Sequence, residues 1–100
     1  MNIMPYSVAK KLGITDFVDT SIVLVLADRS VRIPKGLLED IPIKIAEFWI
    51  PADFIVLDYD KNESKDPLIL GRPFLRTARA IIDCGEGKIQ LKVDDTTMEF

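Results

Sequence analysis

The side chains of this chain that could do chemistry are carboxylates and guanidinium groups, and their spacing limits what they can do. Asp58, Asp60 and Asn62 occupy the first three ligand positions of a calcium-binding loop. Position six is Glu63 where glycine should turn the loop, and position twelve is Ile69 where a bidentate glutamate should close it. A solvated acidic loop is the better reading. The chain has no histidine and one cysteine, Cys84. Intrachain disulfides, zinc sites of the Cys/His kind and Ser-His or Cys-His nucleophiles are therefore excluded, and Cys84 is expected to behave as a small apolar residue. Neither a metal nor a cofactor is expected. Arg72, Arg76 and Arg79 recur at helical spacing and could bind an anion, but a solvated cationic face is the usual explanation. Trp49 could be a ligand platform, although an aromatic at a strand turn is more often core or interface.

Length and charge set the outer limits. One hundred residues correspond to one domain, 1–100. With 13 basic and 16 acidic side chains the net charge is −3, and no basic cluster offers the field that direct nucleic-acid binding needs. The apolar stretches are well short of a membrane span, and the N-terminus lacks the order of a signal peptide. No membrane partner is expected, and a reducing, cytoplasmic setting is the default.

The elements that must position these residues are mostly strands. Pro5 to Leu12 reads as a short helix with Val8 and Leu12 on one face and Gly13 at its stop. Ser21 to Ala27 and Val31 to Ile33 form a hairpin around the polar tip Asp28-Arg29-Ser30. Ile41, Ile43 and Ile45 alternate with polar or small residues, so this strand has one buried face, and Pro42 places it at an edge or a bulge. Phe48 to Leu57 is its hairpin partner, and a hydrophilic loop runs from Asp58 to Asp66. Leu68-Ile69-Leu70 fits a strand buried on both faces, Gly71 permits a close approach, and Pro73 opens a helix to about residue 79 with Phe74, Leu75 and Ala78 inward. Ala80 to Asp83 and Lys88 to Val93 make a further hairpin, and Thr96 to Phe100 a last strand.

In this order the chain resembles the retropepsin-like aspartic protease of gypsy-type LTR retrotransposon polyproteins, especially the plant kind. The strings that carry the resemblance are Asn2 to Val8, Leu26 to Ser30, Pro34-Lys35-Gly36, Pro51 to Asp58, and residues 68 to 83, which together span essentially the whole chain. The resemblance implies an all-β fold with one or two short helices, a small closed acid-protease barrel lacking its N-terminal strand. It implies a substrate-covering flap at Ala27, Asp28, Arg29 and Ser30, and an active-site floor at Leu70, Gly71 and Arg72. Arg72 would brace the active-site loop.

The family's catalytic Asp-bearing segment stands immediately before the Asn-Ile-Met-Pro string, and this sequence starts with Met1 at that string. The expectation is therefore a protease domain cut short, with no catalytic residue on the chain and no hydrolysis by it alone. Asp19-Thr20-Ser21 is similar to an aspartic-protease Asp-Thr-Gly, but Ser21 replaces the glycine and an apolar run follows at once, so it reads as a loop entering a strand. Asp28 at a flexible tip and Asp83 before a turn are no better placed. The partners implied are a second copy, as a homodimer, and a polypeptide substrate of the full-length parent, in the cytoplasm or a retroelement particle. The alternative is a catalytically silent remnant that dimerises or binds peptide, or a β-rich domain with no ligand.

Overall fold

The computed structural model describes residues 1–58 and 68–100; Asp60, Asn62 and Glu63 of the calcium-like string lie outside them. In chain order the elements are β1 (Ile3–Pro5), α1 (Tyr6–Lys11), β2 (Leu24–Val25), β3 (Val31–Arg32), β4 (Gly36–Ile45), β5 (Phe48–Leu57), α2 (Arg72–Thr77), β6 (Ile81–Asp83), β7 (Lys88–Val93) and β8 (Thr96–Glu99).

The β4–β5 hairpin is the backbone of the fold. Along the first part of β5, Ile50, Ala52 and Phe54 are buried while Trp49, Pro51 and Asp53 are exposed, the period of a strand with one face in the core. From Phe54 to Leu57 every residue is buried, because here β1 joins β5 in parallel, pairing Ile3 with Ile55 and Pro5 with Leu57. The core gathers Met4, Ala9, Phe54, Val56, Phe74 and Leu91, so it links the first sheet to both helices and to the C-terminal strands.

Both helices stop by the same device. In α1 the Gly13 N–H donates to the Lys10 carbonyl and the Ile14 N–H to the Ala9 carbonyl; in α2 the Arg79 N–H donates to Arg76 and the Ala80 N–H to Leu75. These are paired Schellman bonds, which need a left-handed residue just past the helix. Gly13 supplies it at φ 74° and Arg79 at φ 50°. The expected helix over 73–79 thus runs from Arg72 to Thr77, with Gly71 as its N-cap and Pro73 within the first turn. In α1 the residue buried is Ala9, while Leu12 is exposed.

Several expectations are corrected. The fold is mostly β with two short helices, but there is no closed barrel among the described residues. The strands form three separate sheets, ordered β1-β5-β4, β2-β3 and β6-β7-β8. Closure needs an unbroken ladder, and the ladder ends at β4. This strand has a register shift between Leu38 and Ile41, the N–H-less Pro42 just after it, and beyond its outer edge only the isolated bridge of Leu37 to Val18. Pro42 does mark an edge next to a bulge. Leu68–Leu70 is not a strand buried on both faces, since Ile69 is 45% exposed and pairs only by an isolated bridge to Ile3. Cys84 is exposed in the turn after β6, and Trp49 is exposed rather than core.

Candidate functional site

The region around Gly71, expected to be the floor, is built from three stretches far apart in sequence. Ile3 exchanges both backbone hydrogen bonds with Ile69, at 2.8 and 2.9 Å, and the Asn2 carbonyl accepts from the Ile55 N–H at 2.9 Å. β1 is thereby wedged between β5 and the segment leading to Gly71. The Asn2 side chain locks the wedge: its Nδ2 donates to the Asp53 carbonyl at 2.9 Å and its Oδ1 accepts the Gly71 N–H at 2.7 Å. Asn2 is 3% exposed, the buried polar residue among those described, and both hydrogen-bonding ends of its carboxamide are satisfied. A Cβ on Gly71 would collide with the Met1 carbonyl and backbone, so this position tolerates no side chain while Met1 stays where it is.

Of the floor residues named from sequence, Leu70 is half-buried, Gly71 is fastened to Asn2, and Arg72 is exposed on α2. The bonds that join this region run to Asn2 and Ile3, with none from Arg72 to the first strand. Asn2 and Asp53 were not singled out by the sequence. The available signal was a lone amide between Met1 and the apolar pair Ile3-Met4, which in a buried segment must find partners.

The four tip residues, Ala27, Asp28, Arg29 and Ser30, do sit together at the end of the β2–β3 ribbon. Leu24 pairs with Arg32 and Val25 with Val31. The tip is closed by the Leu26 N–H to the Ser30 carbonyl at 2.9 Å and the Arg29 N–H to the Leu26 carbonyl at 2.8 Å, with Arg29 left-handed at φ 69°. Asp28 Oδ1 then accepts both the Ser30 backbone N–H at 2.9 Å and the Ser30 hydroxyl at 2.6 Å. The Ser30 hydroxyl first, then the Ser30 N–H and the charge of Arg32, hold the Asp28 carboxyl below its ordinary value. Val25, Val31 and Ile33 of the same ribbon are 69%, 61% and 80% exposed.

Two further residues flagged by the sequence, Asp83 and Thr20, have structural uses. Asp83 Oδ1 accepts the Glu86 N–H at 3.1 Å and closes the turn into β7. Thr20 Oγ1 accepts the Ile22 N–H at 3.1 Å, which folds the loop before β2. Among the described residues no group of three or more His, Cys, Asp or Glu is placed to hold a metal ion, and no helix is long and apolar enough to cross a membrane. Compared with known proteins, the chain matches no family model and no curated sequence.

Proposed function

We propose that the chain is the flap-and-floor part of a retropepsin-like aspartic endopeptidase of a gypsy-type retroelement, one that processes its own polyprotein as a homodimer. The observation that carries this reading is the seat of Met1 against Gly71, with Asn2 fastened to the Gly71 N–H. A loop joined upstream of Asn2 enters the fold at the floor glycine, where the family holds its aspartate. The ribbon with its ordered tip supplies a flap, and Leu70, Gly71 and Arg72 the floor. Hydrolysis in this class uses one aspartate to activate water and a second, protonated, to polarise the carbonyl. No carboxylate of these hundred residues takes either role in our reading.

Support for the dimer is an apolar groove of about 300 Å³ beside the floor, lined in part by Leu70, Phe74, Leu75, Ile89, Leu91 and Phe100. Exposed apolar surface of this kind favours association. The second reading, a catalytically silent peptide-binding or dimerising module, is favoured by the exposed valines and isoleucine of the ribbon.

The test compares two proteins: this chain, and the same chain extended by its upstream reading frame. Cleavage of a quenched peptide that is sensitive to pepstatin is expected only from the extended protein, and is lost when the upstream aspartate becomes asparagine. Robust cleavage by the hundred residues alone, or an upstream frame with no aspartate-bearing loop, overturns the reading. Light scattering across a concentration range tests the dimer; a monomer at high concentration contradicts it.

A further inference from the structure

The chain's single tryptophan, Trp49, is 62% exposed on β5. Tryptophan and arginine are enriched among the residues that anchor protein interfaces. Lys44, its cross-strand neighbour on β4, holds its ammonium 5.8 Å from the ring centroid. Trp49 and Pro51 form one wall of a groove of about 260 Å³, and Arg79 from the end of α2 and Lys92 from β7 face it, with Asp94 the one acid in the lining.

Arg79 is held in place by the backbone that ends α2. It stands at the left-handed position past α2 where α1 uses Gly13. Glycine adopts that conformation without penalty and arginine does not, a cost that Arg29, Asp40, Ala46 and Asp94 also carry in this fold. What sets Arg79 apart is its place in the groove lining, opposite Trp49.

We infer that this groove docks an acidic peptide segment. One apolar side chain lies against Trp49 and Pro51, and a neighbouring carboxylate is held between Arg79 and Lys92. The groove is smaller than the roughly 300–1,000 Å³ of small-molecule sites, which suits a short stretch of peptide with one side chain seated on Trp49. A phosphate polymer fits less well, because the two cations of the lining, Arg79 and Lys92, match one or two carboxylates rather than the repeated charges of a polyanion. The inference is independent of the protease reading and uses none of its flap or floor residues.

Trp49 emission reports the site directly. The probes are a capped peptide of alternating glutamate and leucine, the same peptide with lysine for glutamate, the same with serine for leucine, and a short oligothymidylate. The expected result is a saturable change in emission with the glutamate-leucine peptide alone, weakened by added salt. Arg79→Gly is expected to weaken it about tenfold while leaving the melting temperature unchanged or raised, and Lys92→Gln to weaken it with the fold intact by circular dichroism. The inference is overturned by an absent or unsaturable response, by an equal response to either control peptide, by a stronger response to the oligothymidylate, or by wild-type binding in both variants.

Discussion

At Gly71 and at Asp28 the backbone is fixed by opposite means. Around Gly71 a buried carboxamide, two strand bonds and the packing of Phe74 leave no room for another conformation. At Asp28 a carboxylate in open solvent bonds to Ser30, two residues away, and the ribbon packs mainly on itself. The first arrangement stores its stability in contacts between distant segments; the second is local and can open without disturbing the core. In the proposed reading, a floor that stays in place and a cover that moves make these different demands.

Three measurements break or sharpen that contrast. Phe74→Ala empties a buried site at the floor and is expected to cost about 3–5 kcal/mol, a large share of the roughly 5–15 kcal/mol of a small domain. Denaturant unfolding should show the midpoint falling with an unchanged slope; a change below about 1 kcal/mol would mean that α2 does not anchor the floor. Asn2→Ala leaves the Gly71 N–H and the Asp53 carbonyl without their partner. The expected loss is about 1–3 kcal/mol, with faster amide exchange at Gly71, Ile3 and Ile69 together. Exchange confined to Gly71 would argue against one cooperative wedge.

Asp28→Ala should leave the global midpoint where it is and speed exchange at Ser30 alone. The pH dependence has a definite sign. The folded carboxyl titrates below its ordinary value of 3.8, so the clamp is complete above that value and is lost as pH falls through the lower, folded value. Nuclear magnetic resonance of Ser30 should therefore show an ordered tip at mildly acidic pH and a loosened one only in strong acid. Loosening near neutral pH would remove Asp28 from this role.

The features legible in the sequence are those set within a few residues. Ile41, Ile43 and Ile45 announced a half-buried strand, Pro42 its edge and bulge, and Gly71 with Pro73 the start of α2 to within a residue. Asp28-Arg29-Ser30 marked the hairpin tip because short polar side chains close turns locally. The closed barrel was not there to be read: bulge and proline on β4 were visible, but whether some other strand would cover that edge was not. β1 was missed for the same reason, since three residues have no period of their own and their partner lies fifty positions away.

Composition and spacing alone settled that this chain carries no histidine, no intrachain disulfide and no zinc site of the Cys/His kind, and that its backbone would be mostly strand. Hydrophobic alternation and turn chemistry act over a handful of residues, so one dimension suffices to see them. Tertiary structure alone decided that Asn2 is the buried lock of the floor, that Cys84 and Trp49 face water, and that Arg79 shares a groove with Trp49. Each of those depends on which distant segment arrives alongside, and that is fixed by the competition of all possible pairings for one core.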